Sequence, residues 1–255
     1  MKLASNQTEW EKERARCSDQ SPLVVAVVPA AGKGLRMGGA VPKQFLALGG
    51  EPVVVHALRA LEASPIVGTI ILAVPPSDLD YCVDELIPQA GLKKITKVVA
   101  GGKERQDSVR RALEYVPEET EVVLVHDAVR PFVTESMVRE VVEAAYRVGG
   151  AIVALPMRDT VKQVGTQGYV ERTIDRRPLW LAQTPQAFRF DRLLAVHRKA
   201  HAEGVHATDD AFLFEWAGYP VMVVEGSGDN IKITRPEDMV IGEAILLSRQ
   251  QGGQR

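Results

Sequence analysis

Cysteine is nearly missing from this sequence, with only Cys17 and Cys82 among 255 residues. The pair makes neither a C-x-x-C motif nor a zinc-ligand spacing, so both read as ordinary reduced thiols. Histidine is also sparse: His56, His126, His197, His201 and His206 fall in no metal-ligand pattern, and all five read as structural or surface groups. No apolar run approaches the roughly 20 residues that span a bilayer. Excess charge is lacking too; a net −2 argues against non-specific nucleic-acid binding as the main activity. The first 21 residues, MKLASNQTEWEKERARCSDQS, have no apolar h-region of a secretory signal. They carry Asp and Glu, which argues against an organellar transit peptide. A cytoplasmic protein is expected, with an N-terminal extension over 1–21 that is either a short charged helix at Glu9–Arg16 or a frayed tail.

What is present is a chain long enough to bury a sizeable core. Its 45% hydrophobic and 25% charged residues are ordinary for a soluble globular protein. Uncharged, β-branched runs alternate with helical patterns. Leu23–Val28, Ile66–Val74, Lys97–Val99, Glu121–Val125 and Ala151–Leu155 read as strands. Val53–Ala63, Asp78–Ile87, Glu104–Tyr115 and a helix capped by Thr134 running to Arg147 read as helices. This rhythm predicts a Rossmann-like α/β fold: a mostly parallel sheet covered by helices on both faces. Ligands on such sheets bind outside the carboxyl ends of the strands, here the loops after residues 28, 74, 99, 125 and 155.

The rhythm breaks at 157–176, where residues alternate in period two about Gly165-Thr166-Gln167-Gly168, a hairpin pattern. A polar hairpin of this length stays exposed unless a partner covers it. It is expected to protrude as a dimerisation arm against a second subunit. Helices are expected from Asp191 to Glu203, from Thr208-Asp209-Asp210 onward and from Pro236 to Ser248, with a strand at Tyr219–Glu225. Ile231–Thr234 is a candidate extension of the sheet, and the C-terminal residues from 250 a frayed tail. One domain over 22–250 results, with the arm at about 157–176.

Residues 27–45, VVPAAGKGLRMGGAVPKQF, hold Gly32, Gly34, Gly38 and Gly39 together with Lys33, Arg36 and Lys43. Glycine allows successive N–H groups to point into one concavity, and such a nest binds anions. No Gly-Lys-Ser/Thr closes a Walker loop, and Met37 stands where a dinucleotide fingerprint needs its third glycine. Pro75-Pro76 stands where a dehydrogenase would close its second strand with a ribose-binding acid. The cations suit a triphosphate, whose α-phosphate gains charge when attacked.

Pro29-Ala30-Ala31-Gly32-x-Gly34-x-Arg36-Met37, followed by Pro42-Lys43-Gln44-Phe45, resembles the signature loop of the small cytidylyltransferases, specifically the 2-C-methyl-D-erythritol 4-phosphate cytidylyltransferases of the non-mevalonate isoprenoid pathway. The likeness continues through Ala100–Val109, Val125–Pro131, Arg158–Lys162, Leu179–Gln186, Thr208–Asp210 and Asp229–Asp238. It covers roughly 22–248. The resemblance implies transfer of a cytidylyl group from CTP to methylerythritol phosphate, with diphosphate released and Mg²⁺ held mainly through the CTP phosphates. It implies that Pro29, Ala30, Ala31, Gly32 and Gly34 hold the triphosphate, the amides of Ala30, Ala31 and Gly32 directly. Arg36 and Lys43 would stabilise the α-phosphate, and Lys232 would help place both phosphates. Gly102, Arg105 and Ser108 would serve the cytosine and ribose. Asp127, Arg130, Thr160, Arg176, Thr184 and Thr208 would contact methylerythritol phosphate. With Thr160 and Arg176 on or beside the arm, a homodimer would have composite sites. The alternatives are a ribitol-5-phosphate cytidylyltransferase, which shares the loop, and a nucleotide-binding module without catalysis, which would be expected to lose Arg36, Lys43 or Lys232.

Overall fold

The structure, a computed structural model, describes residues 23–32 and 41–252. The N-terminal extension, and Gly34 and Arg36 of the glycine-rich loop, lie outside the described residues. Strand β1 (Val24–Pro29) is buried at every residue but its last. After it come a small ladder of β2 (Ala47–Leu48) and β3 (Glu51–Pro52), then helix α1 (Val53–Ala63) and β4 (Val67–Val74). A helical segment over 79–90 has π-type bonding at Cys82–Leu86 and ends at Gly91 in the left-handed region. It leads to β5 (Ile95–Ala100), α2 (Arg105–Leu113) and β6 (Val122–Val125). Next are α3 (Glu135–Val148), β7 (Gly150–Pro156), the hairpin β8 (Val161–Val164) and β9 (Val170–Ile174), and the long strand β10 (Trp180–Arg189). The chain closes with α4 (Phe190–Glu203), α5 (Asp210–Trp216), β11 (Met222–Glu225) and α6 (Pro236–Gly252).

Seven strands form one sheet in the order β11-β7-β10-β6-β1-β4-β5. All its ladders are parallel except the two made by β10, which runs antiparallel to both β6 and β7. The expected mostly parallel sheet is therefore present. β1 shows why its sequence is apolar throughout. Val24, Ala26 and Val28 face one core, shared with Leu58 and Leu61 of α1 and Val138 and Val142 of α3. Val25 and Val27 face the other, shared with Val109 and Leu113 of α2, Leu193 of α4 and Phe214 of α5. Side chains alternate across a pleated strand, so a sheet covered on both sides needs apolar residues at every position. Cys82 is a free thiol inside the first core, and burial pushes its pKa up to about 12.

Two expectations are corrected. Ile231–Thr234 adds no strand to the sheet; Ile233 N–H donates to Val129 O at 2.8 Å. The Ile233 side chain instead fills a third core with Leu48, Val53 and Phe132, separate from the two cores that cover the sheet. The last helix runs four residues past Ser248, to Gly252.

Candidate active site

A cavity opens at the carboxyl ends of β1, β5 and β6. It is lined by Pro29 to Gly32, Lys43 and Gln44, Gly102 to Arg105, Ser108, Asp127 to Val129, and Lys232. Ten of the positions singled out from the sequence line this cavity, from segments over 200 residues apart in the chain. The fold joins them because parallel strands end together.

The wall after β1 departs from expectation in one respect. Ala30 N–H is taken by Ala73 O at 2.7 Å, extending the β1–β4 ladder by one bond. Among the described residues, that leaves the amides of Ala31 and Gly32 for an anion. The Ala30 carbonyl accepts from Gln44 Nε2 at 2.6 Å, and Gln44 is buried. Gln44 lies at the middle of a single 3-10 turn, Lys43–Phe45, closed by Phe45 N–H to Pro42 O. This bond ties the far end of the loop to its start and places Lys43 on the cavity wall. A buried side chain with a backbone partner fixes its neighbour's position far better than an exposed one. In the sequence, nothing marks Gln44 beyond its place in the Pro42–Phe45 motif.

The opposite wall is the turn between β5 and α2. A side chain on Gly101 would overlap the Cβ of Ala31, and one on Gly102 would overlap Asp107. Glycine is therefore required here by close approach of two loops. Ser108 Oγ accepts from Gly102 N–H at 3.0 Å and donates to Glu104 O at 3.1 Å. Its hydroxyl holds the turn in shape while the residue lines the cavity. Glu104 and Asp107 cap α2 reciprocally.

Between these walls stands a chain of charges. Asp127 accepts from Arg105 Nε at 2.8 Å on Oδ1, and Lys232 Nζ lies 2.7 Å from Oδ2. Burial works against the Asp127 charge, but Arg105 and then Lys232 outweigh it and hold the carboxyl far below the usual range. Arg105 reaches on to Asp210 Oδ2 at 2.8 Å. Burial opposes the guanidinium charge, and Asp210 and Asp127 more than restore it. In the sequence Asp210 shows only as part of the Thr208–Asp210 motif, because a link across 105 positions leaves no local trace.

Behind Asp127, the backbone and two side chains form a relay. Asp127 N–H donates to Thr184 Oγ1 at 3.0 Å, and Thr184 Oγ1 lies 3.2 Å from His126 Nδ1. His126 Nε2 lies 3.0 Å from Arg130 O. A carbonyl only accepts, so Nε2 carries the proton, and Nδ1 accepts from the threonine hydroxyl. Thr184 is thus buried and engaged on both sides, rather than lining the cavity. Its position follows from β10: between Ala182 and Gln186 the register against β7 slips by two residues, around a cis Thr184–Pro185 bond. Asn230 Nδ2 braces the bulge through Thr184 O at 2.9 Å and Gln183 Oε1 at 3.2 Å.

The remaining assignments are not brought into the cavity of this chain. Arg130 is partly buried, with Nη1 donating to Asn230 O at 2.7 Å and Nε 4.0 Å from Asp127 Oδ2. Burial lowers its pKa against the pull of Asp127. Thr160, Arg176 and Thr208 are exposed, and none lines the cavity. Arg176 Nη1 donates to Arg158 O, which ties the base of the hairpin.

The arrangement offers backbone amides, two lysines and a positioned arginine around an acid, which suits a phosphorylated ligand. Comparison with known proteins agrees. The model of the IspD family, 2-C-methyl-D-erythritol 4-phosphate cytidylyltransferase, matches residues 24–248. The protein of that name from Syntrophus aciditrophicus is 48% identical over 229 residues, which are 90% of this chain and 98% of that protein. The crystal structure of the 4-diphosphocytidyl-2C-methyl-D-erythritol synthase of Anaerococcus prevotii superposes with a TM-score of 0.78 at 30% identity, over 89% of this chain and 97% of that one. The cytidylyltransferase of Thermus thermophilus gives 0.72 at 36% identity, over 87% and 98%.

Proposed function

The chain belongs to the 2-C-methyl-D-erythritol 4-phosphate cytidylyltransferase family, and from that premise we propose how its cavity performs the family reaction. The protein is a nucleotidyltransferase of isoprenoid precursor synthesis that converts CTP and methylerythritol phosphate to CDP-methylerythritol and diphosphate. An oxygen of the substrate phosphate attacks the α-phosphorus of CTP in line. The new P–O bond forms as the α–β bridging P–O bond breaks, and the electron pair leaves with diphosphate. The nucleophile is already ionised near neutral pH, because the second pKa of a phosphate monoester lies near 6. No side-chain nucleophile or strong base is needed.

The observation that carries this reading is the convergence of Lys43, Lys232 and the Ala31–Gly32 backbone on one cavity. Lys43 lies beside the amides that hold the triphosphate and supplies positive charge where the α-phosphate gains negative charge. Lys232 Nζ lies 2.7 Å from Asp127 Oδ2; a phosphate presents more charge than one carboxylate and would draw it across. Arg36 would join Lys43 from the part of the loop outside the described residues. Among the described residues no three carboxylate, His or Cys groups converge. The donors present, Asp127 and Glu104 on the cavity wall, suit a magnesium carried mainly by phosphate oxygens, which is how Mg²⁺ usually binds nucleotides. Bound there, it would neutralise phosphate charge.

The hairpin is read as an arm that packs on a second copy of the chain. It forms its own two-stranded sheet apart from the main one. Its Val164, Tyr169 and Val170 are exposed apolar residues, with Tyr169 at 76%. Thr160 and Arg176 at its base would then serve the partner's cavity, which accounts for their distance from this one. No helix among the described residues is long and apolar enough to cross a membrane. Work in the cytoplasm is part of the proposal, since both substrates are multiply charged phosphates. Purified protein with CTP and Mg²⁺ should release diphosphate when methylerythritol phosphate is added, and far less with ribitol phosphate. No release with methylerythritol phosphate would refute the assignment.

A further inference from the structure

We propose that Asp210, outside the cavity, is a positioning residue for the nucleotide, acting through Arg105. The proposal rests on the reading of the cavity as the CTP site. Arg105 lines that cavity, whereas Asp210 and His197 do not. The Asp210 carboxylate is buried, with Oδ2 2.8 Å from Arg105 Nη1 and Oδ1 3.0 Å from His197 Nε2. His197 comes from α4 and is itself buried. Arg105 is thus gripped at Nη1 by Asp210 and at Nε by Asp127 Oδ1. One carboxylate alone would let the guanidinium swing about a single contact. Two, from elements 83 residues apart in sequence (210 − 127), set the plane of the fork. A lysine, with a single nitrogen, could not span them in the same way.

Asp210 is itself fixed. It opens α5, whose cap is Asp209, accepting from Phe212 N–H at 3.0 Å. Gln186 of β10 holds both sides of it, donating to Asp209 Oδ2 at 2.8 Å and accepting from Ala211 N–H at 3.2 Å. A buried carboxylate is a poor device for stability alone, since an apolar side chain of similar size often does as well. What it adds is orientation. Among the described residues the grip leaves Arg105 Nη2 buried without a hydrogen-bond partner, so the fork is held only through Nη1 and Nε. Support of this kind decides whether a contact group is held within the tolerance a site needs.

The test is a double-mutant cycle of Asp210→Asn and Arg105→Lys, read by KM for CTP and kcat in diphosphate release, by calorimetric CTP binding, and by thermal midpoint. Asn keeps the size and removes the charge. Asp210→Asn alone should raise KM and Kd for CTP about tenfold or more, with kcat within about threefold. In the Arg105→Lys background the same change should add less than about threefold, because the group it positions is already gone. Full additivity, or an unchanged CTP affinity in Asp210→Asn, overturns the proposal. Should Asp210→Asn fail to fold, His197→Gln takes its place in the cycle. It keeps a donor toward Asp210, and a CTP effect that persists undiminished without Arg105 overturns the proposal equally. If the wild-type protein releases no diphosphate, the assigned reaction fails, and calorimetric CTP binding still decides the positioning role.

Discussion

His126 should make the folded protein sensitive to acid in a window where its carboxylates are silent. The imidazole is fully buried, and burial pushes its pKa down to about 4 from 6.5. Its neutral form is satisfied on both sides, by the Arg130 carbonyl and the Thr184 hydroxyl. A second ring proton would face the threonine hydroxyl in place of its acceptor lone pair. The unfolded chain binds that proton first, so stability falls as pH drops below about 6.5 and stops falling below about 4. Moving from pH 7.5 to 5 should cost about 2 kcal/mol, and the whole titration about 3 kcal/mol, at 1.36 kcal/mol per pKa unit. The site carboxylates act elsewhere. In Asp127 burial opposes the charge, yet Arg105 and Lys232 lower its folded pKa. Asp210 is lowered in the same way, chiefly by Arg105 against burial. The stability these two confer is present above the unfolded value near 4 and is lost only as pH falls below it. Urea unfolding at pH 7.5, 6.5, 5.5 and 5 should be compared with His126→Gln, whose amide can still donate to Arg130 O. Every other histidine is shared and cancels. The wild type should lose about 2 kcal/mol more than the variant across that range. Losses that agree within about 0.5 kcal/mol would refute the argument, since that lies near the error of linear extrapolation.

Lys43→Ala should lower kcat by about 10² or more with the thermal midpoint little changed; near-normal turnover removes Lys43 from the chemistry. Gln44→Leu strips the Ala30 carbonyl of its side-chain donor and should destabilise by about 1–3 kcal/mol. It should also weaken CTP binding measured by calorimetry; wild-type affinity would show that this tie does not shape the anion site. Tyr169→Glu places charge on the exposed tip of the hairpin and should shift sedimentation toward monomer with loss of turnover. A fully active monomer would refute the composite site.

Much of the fold was legible because it rests on periodicity. α1 matches the expected Val53–Ala63 at both ends, and Thr134 caps α3 by accepting from Met137 N–H. The near-continuous apolar strands announce a sheet buried on both faces, and their carboxyl ends announce the cavity. Local spacing could not show that β10 reverses direction between β6 and β7, or that Ile231–Thr234 leaves the sheet. Those outcomes depend on which surface a segment buries, and several surfaces offer similar gain.

For the site, the amino-acid order by itself determined the inventory: glycines where two loops meet, lysines at 43 and 232, acids at 127 and 210, and through its motifs the family. Tertiary structure alone decided how these groups are shared. It gave the Ala30 amide to the sheet rather than to the nest, turned Thr184 inward toward His126, and strung His197, Asp210, Arg105, Asp127 and Lys232 into one line. The reason is physical. Periodicity and loop chemistry are set by neighbours along the chain, whereas a buried ion pair is set by which groups must give up water together.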